Sequence, residues 1–208
     1  MAGNTAGAGT APETWSEKAK ISISLEGGDE ILFGSLTETI DIDLGDKDIE
    51  AIATTSGGRL VKYTPQDITT VTLEAYPLEA GTLTGAAANT DGTGFFGMMN
   101  TEDATEPLDV DVDRVRSKHR IAIMWTDSVS ITTANAQVGT GTYCMRVVAS
   151  DGYFTSVKPS YTDGILKFTV TYKVPPFDSS GTANIAIQST DASATLTALQ
   201  SYTVTTKW

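Results

Sequence analysis

Strict two-residue alternation constrains this chain most. In Leu36-Thr37-Glu38-Thr39-Ile40-Asp41-Ile42-Asp43-Leu44 nearly every second residue is apolar and the rest are Thr, Asp or Glu, and Val71-Thr72-Leu73-Glu74-Ala75 repeats the pattern after Ile68-Thr69-Thr70. Side chains on a strand point alternately to opposite faces, so each segment has one greasy face and one bearing hydroxyls and carboxylates. A helix would mix the two sets. The polar face must meet water or a polar partner.

At 208 residues the chain is long enough for one full core, and all-β domains of this length need not divide. Its 40% hydrophobic and 8% aromatic content is that of a globular protein. A formal net charge of -12, from 14 Lys and Arg against 26 Asp and Glu, opposes tight phosphate binding, which depends on clustered cations. The same charge suits a surface past which DNA slides without sticking. Cys144 is the sole cysteine, which rules out an intrachain disulfide or a cysteine-held metal and reads as a buried, inert thiol. The first dozen residues lack the cationic start and apolar run of a secretory signal, predicting synthesis and folding in a cytoplasm. The longest apolar run, Ile121–Trp125, is far too short to cross a bilayer, so no membrane insertion is expected.

Along the chain, residues 1–17 read as a flexible N-terminal arm and residues 18–208 as a single β domain. Ile21–Leu25, Gly27-Gly28 and Ile31–Phe33 form a hairpin pattern. Residues 45–66 read as a long protruding hairpin or loop, reversing at Ser56-Gly57-Gly58-Arg59. Leu78–Gly94 is a small-residue surface segment, and Phe95–Met99 a short helical turn. Leu108–Asp113 is another strand with a carboxylate face, followed by a basic patch of Arg114, Arg116, Lys118, His119 and Arg120 that could neutralise neighbouring carboxylates in this subunit or another, with His119 read as a solvated charge neighbour. Ile121–Trp125 is apolar on both faces, as in a doubly covered strand. Asp151-Gly152 and Asp163-Gly164 both predict hairpin turns. Phe168, Val170 and Tyr172 alternate with Lys167, Thr169, Thr171 and Lys173 up to Pro175-Pro176. Ala183–Ser189 is extended, residues 192–199 form a helix or a strand, and Tyr202–Thr206 closes the domain as a strand. The fold class is therefore mainly β: two packed antiparallel sheets, sandwich or barrel, with at most one short helix.

Catalytic chemistry is missing. His119 is the only histidine, so neither a two-histidine metal site nor an obvious base for a nucleophile exists. Gly57-Gly58-Arg59 lacks the ending of a phosphate loop. Asp109-Val110-Asp111-Val112-Asp113 begins like a calcium loop but continues Arg114-Val115 without the turn glycine, leaving strand periodicity as its explanation. Asp41 and Asp43 share a strand face, yet no apolar pocket accompanies them to raise a carboxyl pKa. No catalytic residue, metal site or cofactor is predicted, and the chain is read as a non-enzyme.

Several strings resemble the major tail tube proteins of tailed viruses, including archaeal ones: Ile31-Leu32-Phe33-Gly34-Ser35-Leu36-Thr37-Glu38, Gly57-Gly58-Arg59-Leu60-Val61-Lys62-Tyr63-Thr64-Pro65 and Thr72-Leu73-Glu74-Ala75-Tyr76-Pro77. Asp151–Pro159 and Phe168–Phe177 are similar to the same group. The resemblance implies two packed sheets with a flanking helix, hexameric rings stacked into a hollow tube, and a closed inner barrel made where neighbours continue one another's sheet. It implies a virion tail location, with tape-measure and tail-terminator proteins as partners and viral DNA in transit. On that reading Thr37, Thr39, Asp41, Asp43, Thr70, Thr72 and Glu74 line an acidic lumen. The 45–66 segment makes the contact between rings or subunits through Asp46, Asp48, Glu50, Gly57, Gly58 and Arg59, with Arg114 and Arg116 as further contact residues. The competing readings are another virion or surface β-sandwich, such as a capsid decoration protein, tail terminator or adhesion module, and a two-carboxylate hydrolase.

Overall fold

A computed structural model describes residues 18–28, 30–32, 35–63, 65–77, 118–126, 144–190, 196 and 199. The expected arm at 1–17, the 78–94 segment, the Phe95–Met99 turn, the Leu108–Asp113 strand, Arg114, Arg116 and the Tyr202–Thr206 strand lie outside these residues.

The described residues form ten strands: β1 (Lys18–Leu25), β2 (Ile31–Leu32), β3 (Ser35–Asp43), β4 (Ile49–Ala53), β5 (Arg59–Tyr63), β6 (Thr69–Pro77), β7 (His119–Thr126), β8 (Cys144–Thr162), β9 (Ile165–Val174) and β10 (Ile185–Thr190). There is no helix among the described residues. Every pairing is antiparallel. The 19-residue β8 belongs to two sheets. Its first half, Cys144–Gly152, pairs with β7, which leads to β1 and β2, and β10 also pairs with Cys144–Ala149; this is sheet I. Its second half, Tyr153–Thr162, pairs with β9, followed by β6 and β3; this is sheet II.

The greasy faces of the two sheets meet. Ile21 and Ile23 of β1, Ile121 and Ile123 of β7, and Ala149 and Phe154 of β8 form one buried cluster with Val71, Leu73 and Ala75 of β6 and Phe168, Val170, Tyr172 and Val174 of β9. Ile40 and Ile42 of β3 pack on its margin. Burial of one such side chain is worth about 1.5–3 kcal/mol, so the alternation in β6 and β9 suffices to orient sheet II.

Asp163-Gly164 forms the β8–β9 hairpin turn, with φ of 54° and 82°, the left-handed pair that matches strand twist. Asp151-Gly152 does not form a turn, correcting the expectation. It lies inside β8, where Asp151 has φ 61° and the chain passes from sheet I to sheet II. A Cβ at Gly152 would run into the Tyr172 ring and stand 2.7 Å from the Lys173 carbonyl oxygen. The Tyr172 hydroxyl accepts the Gly152 N–H at 2.9 Å and lies 2.8 Å from the His119 carbonyl oxygen and 3.1 Å from that of Ala149. One tyrosine of sheet II thus holds the bend of β8 and the start of β7.

His119 is a second correction. It is buried rather than solvated, as is Lys118 before it, because β7 begins at His119, ahead of the apolar run, and carries it into the core. The His119 ring stands edge-on to Phe154 at a centroid distance of 4.9 Å. The outer face of sheet I is covered along β7 and the first half of β8. Ala122, Met124, Cys144 and Val148 are buried, with Leu199 against Ala122 and Val148 and Leu196 against Met124 and Cys144. Leu196 takes part in a β-bridge; the rest of the 192–199 segment lies outside the described residues.

Candidate functional site

The outer face of sheet II is open, unlike that of sheet I. Cross-strand register sets its residues in rows: Asp43, Thr70, Lys173 and Tyr153; Asp41, Thr72, Thr171 and Ser156; Thr39, Glu74, Thr169 and Lys158. Opposed residues on antiparallel strands share a face, so six of the seven residues singled out for a lining stand together. Thr39, Asp41 and Asp43 are exposed, and Thr70, Thr72 and Glu74 half-buried. The β3–β6 register steps between Thr37 and Thr39, placing Thr37 opposite Ala75, a residue of the core cluster. An extra residue in one strand marks a bulge at this point of the ladder.

Sequence reasoning singled out β3 and β6 and left the other half of this face unassigned. β9 contributes Lys167, Thr169, Thr171 and Lys173, and β8 contributes Ser156, Lys158 and Ser160. The Phe168-Val170-Tyr172 alternation carried the β9 signal. The β8 set is shifted by a second bulge, between Phe154 and Ser156, which alternation alone does not reveal. With these strands included, the face holds the carboxylates Asp41, Asp43 and Glu74 and the ammonium groups Lys158, Lys167 and Lys173, set among threonine and serine hydroxyls. Lys167 Nζ lies 3.2 Å from Glu74 Oε2. The acids occupy β3 and β6 and the lysines β8 and β9, so charge changes sign across the sheet.

Sheet II also ends in two edges. Among the described residues, β3 has a ladder partner only in β6, and Tyr153–Thr162 of β8 only in β9. The β8–β9 hairpin extends outward to an exposed tip, where Tyr161 and Ile165 are 73% and 55% accessible.

The second feature is the β4–β5 hairpin, whose strands pair, among the described residues, only with each other. Every residue of β4 is exposed, and Ile49, Ile52, Leu60 and Val61 present apolar side chains to solvent. Its root is fastened: Asp67 N–H donates to the Asp46 carbonyl, Gln66 Nε2 donates to the Leu44 carbonyl at 2.7 Å and Thr69 Oγ1 donates to it at 3.0 Å. At the tip Thr54 bonds Gly58, and Gly57 takes a left-handed φ of 81°. Of the contact residues named from sequence, Gly57 and Gly58 shape the turn, Arg59 stands opposite Ala53, and Glu50 stands opposite Lys62. Arg114 and Arg116 lie outside the described residues.

A third group lies in sheet I. Arg120 Nε bonds Glu30 Oε1 at 2.5 Å, while Glu30 Oε2 is buried without a partner. Burial pushes the Glu30 carboxyl above its ordinary value, and the Arg120 charge pulls it back in part. Arg146, also buried, donates to Gln188 Oε1 through Nε and Nη2 at 2.9 and 2.6 Å. Among the described residues no three His, Cys, Asp or Glu gather to hold a metal, and no helix is long and apolar enough to cross a membrane.

No family model matches the sequence, and no curated protein matches it. Among solved structures, the chain is similar to one from the sheath–tube complex of the extracellular contractile injection system PVC in its extended state, at 15% identity over 91% of this chain and 99% of that one, with a TM-score of 0.46. The cap that terminates the tube of the anti-feeding prophage gives 14% identity, 87% and 93% coverage and a TM-score of 0.43. An Hcp protein gives 9% identity, 83% and 98% coverage and a TM-score of 0.36.

Proposed function

We propose that this chain is the structural subunit of a tube. Neighbouring copies continue sheet II through its two edges into a hexameric ring, the rings stack, and the open face of sheet II lines the channel. The observation that carries this reading is the pairing of an open polar face with an edge on either side of it, β3 and the second half of β8. Unpaired strand edges are a hazard in a free subunit, and closure into a barrel removes them.

The face suits the passage of viral DNA. Each lysine shares it with carboxylates, as in the Lys167–Glu74 pair, and the whole chain carries a charge of -12. Phosphate attraction repeated along a channel would stall a duplex, and balanced or negative walls avoid that. The β4–β5 hairpin is the contact between rings. A two-stranded hairpin with exposed Ile49, Ile52, Leu60 and Val61 gains little stability alone and gains more by docking. Such a tube belongs in the tail of a virion or related particle, with tape-measure and terminator proteins as partners.

Negative-stain electron microscopy of the full chain, concentrated at moderate and at high salt, tests the proposal. Added salt screens the net negative charge that opposes assembly. Rings or hollow tubes are the expected result; monomers in every condition overturn it.

A further inference from the structure

Resting on the tube reading, we infer that the charge pattern of sheet II fixes the polarity of the seam: the β3 edge of one copy pairs with the β8 edge of a second copy, head to tail. Three observations carry this.

First, β8, β9, β6 and β3 are successively antiparallel, so with four strands the two outer ones run in opposite directions. A second copy rotated about the ring axis therefore brings its β8 against β3 in antiparallel register, and the alternation continues without a break. Head-to-tail contacts of this kind close into rings.

Second, the two edges carry opposite charge on the open face. Asp41 and Asp43 are exposed on β3, and Lys158 is exposed on β8. Continuing the rows places Ser156 of the next copy beside Asp41 and Lys158 beside Thr39, which sets Lys158 diagonal to Asp41, within reach of a cross-strand pair. A shift of two residues puts them directly opposite.

Third, the two-fold alternatives are penalised. β3 against its own copy, with the two-fold axis at Ile42, sets Asp41 against Asp43 of that copy, and β8 against its own copy, with the axis at Lys158, sets Lys158 against Lys158. Like charges facing across a ladder destabilise it. The stripes thus attract at the seam that builds a ring and repel at the two that would end in a dimer.

Two variants test this. Protein with Asp41→Lys and Asp43→Lys, and protein with Lys158→Asp, should each fold with wild-type circular dichroism and each fail to form rings where wild type does. Mixed in equal amounts they should form rings again, because every β3 then meets a β8 of opposite charge. Cross-linking gives the second readout, independent of charge. Thr39→Cys protein mixed with Ser160→Cys protein should yield cross-linked dimers with a short bismaleimide, and neither alone should; Cys144 is buried and does not compete. Cross-linking of Thr39→Cys protein by itself, or wild-type rings with unchanged assembly in both charge variants, overturns the seam and leaves the tube standing. Wild type that stays monomeric in every condition overturns the tube itself, and the seam with it.

Discussion

On sheet I, β7 is buried on both faces, whereas on sheet II β6 and β9 bury one face and leave the other half open. Both sheets contribute to the same core cluster, so the core does not explain the difference. Their outer faces do. Along β7 and the first half of β8 the outer face of sheet I is covered, and the charged residues there are tied down, Arg120 to the buried Glu30 and the buried Arg146 to Gln188. Sheet II keeps its hydroxyls, carboxylates and lysines at the surface. Polar groups in sheet I therefore bear on folding, and those in sheet II on what the folded chain meets.

That comparison is breakable. The largest effect is expected at Arg120→Met, which leaves the Glu30 carboxylate buried without its partner; about 3–5 kcal/mol of stability should be lost, read from urea unfolding. Adding Glu30→Leu should recover most of it, since a buried pair replaced by apolar groups costs little. Next, Gly152→Ala should cost about 1–3 kcal/mol by forcing a methyl against Tyr172 and the Lys173 carbonyl. Tyr172→Phe, which strips the bend of its hydroxyl, should cost about 1.5 kcal/mol.

A pH series separates the sheets again. Glu30 titrates above its ordinary value of 4.5 in the folded chain, chiefly through burial. Between the ordinary and the raised value the folded state keeps a proton that the unfolded state has released, so stability falls as pH rises through that window. Glu30→Gln should flatten this part of the curve. The smallest effects belong to sheet II: Asp41→Asn and Thr72→Ser should change monomer stability by less than about 0.5 kcal/mol, and a larger loss in thermal melts would show that this face supports the fold.

Much of this was readable from residues alone. Alternation located β3, β6 and β9 and their greasy faces, and Asp163-Gly164 marked its hairpin, because both signals are local. Asp151-Gly152 carries the same dipeptide with a different outcome: it sits where β8 bends beneath Tyr172, a residue 20 positions away. His119 looked solvated among cations, yet the strand it begins carries it against Phe154.

Residues alone establish that the chain is built of strands and which positions on each are apolar. Those properties follow from composition and a two-residue period, which need no knowledge of neighbours. Folding alone settles which outer face is covered, where bulges at Thr37–Thr39 and Phe154–Ser156 shift the register, and that the lysines of β8 and β9 share a face with the acids of β3 and β6. Register and coverage depend on contacts between segments far apart in the chain, and a single extra residue reverses the side on which every following side chain stands.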